Sequence, residues 1–169
     1  RKQVFIEEQN VPVELEYDDM DESAVHFSAT LEESNQIVGC ARLYCSRMDE
    51  KQGIIGRMAV LPAFRNNGIA FSLITNVIRY GLENLNITSF KLSAQLSAIP
   101  FYQRAGFLPY GETFIDAGIE HKDMVLYTPT LLTDKLDEKS GNLKTPFLSG
   151  KDDTTCLLYT SDAADEAKW

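Results

Sequence analysis

The chain has 169 residues, 44% of them hydrophobic, which suits one ordinary domain with a real core. Its net charge of -9 argues against a nucleic-acid backbone as partner. The chain holds no run of about 18 apolar residues, so no membrane association is expected, and its three cysteines lack disulfide or ligand spacing, so a reducing cytoplasmic compartment and no metal are expected.

The chain opens on Arg1 inside what reads as the last turns of a helix, with the apolar Val4 and Phe5 and then Gln9-Asn10 and Pro12 as the stop. Upstream sequence is therefore expected. Residues 7–22 then carry eight acids and no base. Two readings stay open: a solvated acidic loop, or a surface that collects a cationic amine substrate. Val25 to Leu31 alternates as a strand, Glu33-Ser34-Asn35 makes a turn, and Ile37 to Tyr44 completes a hairpin. Cys40 and Cys45 have opposite side-chain parity in that second strand. A loop around Asp49 to Gln52 leads to a third strand, Ile54 to Leu61.

Pro62 breaks the third strand, and Arg65-Asn66-Asn67-Gly68-Ile69-Ala70 runs into a helix expected from about Gly68 to Glu83. Asn-Gly is also the strongest hairpin dipeptide, but Ala70, Leu73, Ile74, Val77 and Ile78 recur at helical spacing, with Gly81 and Asn84 read as helix-end residues. A helix entered in this way is a phosphate cradle: its first N–H groups have no intrahelical partner and carry the positive end of the dipole. Gly68 lets an anion approach the backbone, and Arg65 adds a permanent charge.

Ser89 to Gln95 follows as a strand, expected parallel to the third because a helix connects them. Ser97 to Arg104 is a short helix with Ser97 as N-cap, Pro100 in its first turn and Gly106 at its end. Strands Phe107 to Phe114 and Lys122 to Tyr127 close the domain around a turn at Asp116-Ala117-Gly118. Residues 128–169 read as a polar linker or tail, and residues 156–166 read like a frame through a sequencing adaptor, so they are set aside from functional argument. Residues 1–127 still carry 17 acids against 11 bases.

The conjunction of the third strand, Arg65 to Ala70, the helix, the fourth strand and Phe101-Tyr102-Gln103-Arg104-Ala105-Gly106-Phe107 resembles the GCN5-related N-acetyltransferase (GNAT) superfamily. Val4 to Pro12, Ile55 to Val60, Ala94-Gln95 and Ala117 to His121 resemble its ElaA-like branch. The resemblance covers about residues 4–127 and implies one domain over residues 1–127, with the family's first strand missing. It implies an α/β fold with a mixed, twisted sheet, splayed central parallel strands and flanking helices. It also implies an acetyl-CoA-dependent N-acetyltransferase, in which an amine attacks directly in a ternary complex. The pantetheine arm would pair with main chain at Met58, Ala59 and Val60, and the pyrophosphate would lie on Arg65, Asn66, Asn67, Gly68, Ile69 and Ala70.

The resemblance further implies that Tyr102 sits near the thioester sulfur and protonates the departing thiolate, while Gln95 bonds cofactor or substrate. Packing beside Phe101 is the plain alternative for Tyr102. Many family members place a glutamate six residues before the position of Val60, and here that residue is Ile54. The base is therefore open among His121, His26, Glu120, Glu112 and a water chain, with His121 preferred for its matched segment. Arg57 either faces the cleft or pairs with the acidic loop. The acceptor is expected to be a small-molecule or peptide amine, and a homodimer is left open. The competing reading is a non-catalytic acyl-CoA-binding regulatory module.

Overall fold

A computed structural model describes residues 1–128 and, as backbone, residues 156–158. An N-terminal π-helical segment (Lys2–Glu8) and a one-turn helix α1 (Val13–Glu16) precede three antiparallel strands, β1 (Val25–Thr30), β2 (Ile37–Cys45) and β3 (Gln52–Val60). Helix α2 (Ile69–Asn84) crosses over to β4 (Ser89–Gln95), and a 3-10 turn leads to α3 (Ile99–Arg104). Strands β5 (Leu108–Asp116) and β6 (Ile119–Tyr127) form a hairpin closed by Ala117 and Gly118, both at positive φ, the geometry of a primed two-residue turn. The sheet order is β5-β6-β4-β3-β2-β1-β7, where β7 (Cys156–Leu158) pairs antiparallel with β1.

The predicted strands, crossover and long helix are all present, and the fold is the mixed α/β sheet with flanking helices that the sequence implied. Strand β7 falls in the stretch set aside as adaptor-like. Otherwise residues 129–155 and 159–169, and with them most of the linker reading, lie outside the described residues. Among the described residues no helix is long and apolar enough to cross a membrane.

Helix α2 buries Ile69, Leu73, Ile74 and Val77 against Phe27, Val38, Leu43 and Phe90 of the sheet. Gly81 does not end this helix, as its spacing suggested, but lies inside it. A Cβ at Gly81 would stand 2.6 Å from the Phe90 ring, so only glycine lets helix and strand approach so closely. Ser97 likewise is not an N-cap: it lies inside the 3-10 turn of Leu96–Ala98, and Ala98 precedes α3.

Candidate active site

Strands β3 and β4 are hydrogen-bonded neighbours only at their beginnings, where Gln52, Gly53 and Ile54 pair with Ser89, Phe90 and Lys91. Beyond Ile54, β3 continues on β2 alone, and beyond Lys91, β4 continues on β6 alone. The sheet is thus parted at its centre. A bulge in β3 accompanies the parting: Arg42 opposes Gly56 while Cys40 opposes Ala59, so β3 carries one extra residue there. A bulge bends its strand and steepens the twist, turning β3 away from a flat parallel neighbour. Arg57 sits in the bulge at φ +54.

Arg57 is held there from outside the sheet. Its guanidinium donates to the carbonyls of Leu15 and Glu16 and to Asp18 Oδ2, each at 3.0 Å. The acidic segment is therefore bound to the body through part of its acids, while Glu14, Asp19 and Glu22 stay exposed. Arg1, Arg42 and Arg57 form ion pairs with Glu16, Asp18 and Asp21, at distances from 2.5 to 3.2 Å. Bonds from Arg42 hold the Asp18 carboxyl below its ordinary range. At Asp21 burial opposes ionisation, but bonds from Arg1 and Arg42 outweigh it and hold the carboxyl down at about 2. This strap walls one side of a cavity of about 530 Å³ that fills the gap between β3 and β4.

Of the predicted site residues, Met58, Gln95, Tyr102 and His121 line that cavity. Gln95 and His121 are direct cross-strand partners, and Gln95 Nε2 donates to Gln9 Oε1 at 3.0 Å. His121 Nδ1 lies 2.9 Å from the Ile119 carbonyl; with the proton on Nδ1, Nε2 keeps a free lone pair. The Tyr102 ring packs edge-on against Phe101 and Phe107, with centroids at 4.9 and 6.0 Å. Burial pushes its phenol up to about 12, so it stays protonated through the neutral range.

The predicted cradle has the required backbone. Asn66 and Gly68 are in the left-handed region at φ +65 and +78, and α2 begins directly after them, which excludes the hairpin. Nothing lies within 4 Å of where a Cβ on Gly68 would stand, so the space above this turn is open to a ligand. Ala59 and Val60 are buried at the end of β3, Ile69 is buried at the helix start, and Asn67 is exposed beside it. Arg65 is engaged differently from the expectation of a free charge. Its two terminal nitrogens grip Glu8 at 2.8 and 2.6 Å, and its Nε donates to the Val60 carbonyl at 2.9 Å.

Three candidates for the base are placed elsewhere. His26 lines a different cavity, of about 660 Å³, with its Nε2 2.9 Å from the Asp21 carbonyl. Glu112 and Glu120 are not among the residues lining the central cavity. Alternation along β6 explains Glu120: His121 and Asp123 share the cavity face, so Glu120 takes the other. Asp123, with Ser93 and Lys91 on the facing strand, was missed from the sequence. The period of two in β4 and β6 was the available signal, but the strand pairing was needed to read it.

A parted parallel pair beside a glycine-opened helix start leaves a strand edge and helix N–H groups free for a ligand. A profile of the acetyltransferase (GNAT) domain matches residues 2–128. The chain belongs to the GNAT acetyltransferase family. YjcF of Bacillus subtilis, named as an uncharacterized N-acetyltransferase, is 32% identical over 126 residues, covering 74% of this chain and 86% of YjcF. Protein ElaA of Escherichia coli is 29% identical over 122 residues, covering 72% of this chain and 78% of ElaA. The crystal structure of Escherichia coli ElaA superposes with a TM-score of 0.62 at 27% identity, over 74% of this chain and 83% of that one. A GNAT acetyltransferase from Elizabethkingia anophelis, solved with acetyl-CoA bound, gives 0.54 at 26% identity, over 69% and 83%.

Proposed function

We propose that this acetyltransferase moves an acetyl group from acetyl-CoA to a primary amine by direct attack in a ternary complex, in a reducing cytoplasm. The observation that carries the reading is the loss of β3–β4 pairing after Ile54 and Lys91, beside the open turn at Gly68. Acetyl-CoA, when bound, supplies the activated acyl group as a thioester. The exposed main chain of Met58 to Val60 would take its pantetheine arm as an added strand. The N–H groups at Asn67 to Ala70 would hold the diphosphate.

The neutral amine nitrogen forms a bond to the acyl carbon and the carbon–sulfur bond breaks. His121 Nε2 accepts the proton that the nitrogen sheds, and the Tyr102 hydroxyl gives its proton to the sulfur. Proton return from His121 to Tyr102 through solvent resets the site. A phenol held near pH 12 is a weak acid in water, yet it serves here because a thiolate in the same dry cleft is costlier still. A second reading, a non-catalytic acyl-CoA-binding module, draws on Ile54, which puts a side chain without a titratable group at the end of the parallel ladder.

Free thiol released from acetyl-CoA over a panel of amines separates the two, with thermal shift as the binding control. Turnover with some amine supports catalysis. Stabilisation by acetyl-CoA without thiol release for any amine supports the binding module. Tyr102→Phe is expected to lower kcat by about 10²- to 10⁴-fold while the acetyl-CoA thermal shift is retained. Full turnover in that variant would refute the acid assignment.

A further inference from the structure

The wall of the central cavity opposite the strap is built from β4, β6 and β5. Lys91 and Ser93 lie two residues apart on one face of β4, Asp123 stands directly across from Ser93, and Tyr110 directly across from Asp123. Ser93 Oγ donates to Asp123 Oδ1 at 2.7 Å, which orients that carboxylate and leaves its second oxygen for a ligand. Lys91 Nζ sits 5.6 Å from the centre of the Tyr110 ring, a cation held over an aromatic face.

The other cations of this cavity are already matched. Arg42 pairs with Asp18 and Asp21, and Arg57 with Glu16 and Asp18, so the two strap acids that line the cavity, Glu16 and Asp18, are both matched. Lys91 is in no ion pair among the described residues, although it lines the same space. The cavity thus presents an unmatched ammonium and a serine-oriented carboxylate on one wall. Two strand residues separate their levels, about 7 Å at ordinary strand rise.

We propose that the acceptor is a small amine that also bears a carboxylate, with its carboxylate on Lys91 and its amino group toward Asp123 and His121. This rests on the acetyl-transfer reading above and names the acceptor class for it. A free amino acid has the two charges within the span that this wall offers. A polyamine suits this wall less well: a second ammonium at the level of Lys91 would meet a like charge, Glu16 and Asp18 are held by arginines, and Asp116 is the remaining cavity acid that could draw it. Asp123 would gather the cationic form of the amine; the ammonium would give its extra proton to solvent before attack, leaving His121 Nε2 free for the proton shed as the amide forms.

The test compares free amino acids, each beside its own carboxamide, with spermidine, all with acetyl-CoA and the full chain. Wild-type protein is expected to favour the free acids by about 10- to 100-fold in kcat/KM, carried by KM, the worth of one charge-assisted bond. Lys91→Gln should bring the ratio of acid to carboxamide close to one, and Lys91→Arg should restore it, with the acetyl-CoA thermal shift confirming that each variant is folded. The proposal is overturned if the carboxamides or spermidine are the better acceptors of the wild type, or if Lys91→Gln depresses acid and carboxamide equally. Absence of acetylation for every amine would overturn the acetyl-transfer reading itself, a result distinct from turnover without preference for the carboxylate.

Discussion

The body of this molecule and the strap of residues 9–22 are held by different physics. In the body, Leu73, Ile74, Val77 and Phe90 are wholly buried between α2 and the sheet. Each such side chain contributes about 1.5–3 kcal/mol through apolar area removed from water. In the strap the buried residue is a charged one, Glu16, while Val13, Leu15 and Tyr17 are about half exposed. Three arginines reach it from Arg1, β2 and β3. The body is thus indifferent to moderate changes of pH and salt, whereas the wall of the cavity depends on ionised carboxylates.

The largest expected effect breaks the body. Phe90→Ala should cost about 3–5 kcal/mol, seen as a lowered Tm for the whole domain. A loss below about 1 kcal/mol would mean that α2 is not seated on β4 as described. Arg42→Met should cost less, about 1–3 kcal/mol, by leaving Asp18 and Asp21 short of partners. Limited proteolysis should then cut within residues 13–22 before it touches α2, and simultaneous cleavage of both would erase the distinction.

Acid sharpens the same comparison. Asp21 is held at about 2 when folded, below its ordinary value of 3.8, so its contribution is complete above about pH 4 and is lost as pH falls through about 2. Hydrogen exchange is expected to quicken in residues 13–22 across that window while amides of α2 stay protected. The smallest effect belongs to the pair of Glu8 and Arg65, both more than a third exposed. Glu8→Gln should shift stability by no more than about 1 kcal/mol in a thermal melt.

The sequence by itself determined the parts whose cause is local. Helical spacing from Ala70 to Ile78, a glycine able to take φ +78 ahead of it, and alternating strands on either side are all written within short windows. The turn at Gly68, the start of the helix after it and the order of elements were legible for that reason. Tertiary structure alone decided what depends on partners far apart in the chain. Arg57 meets Leu15 and Glu16 from more than 40 residues away, which tied the middle of an acidic run to the sheet. The helix interior at Gly81 was set by the Phe90 ring on another element. Which histidine faces the cavity, and that Asp123 and Lys91 join it, followed from the β4–β6 register. A one-residue slip there would turn those side chains to the opposite face, and no short window of sequence specifies which register is taken.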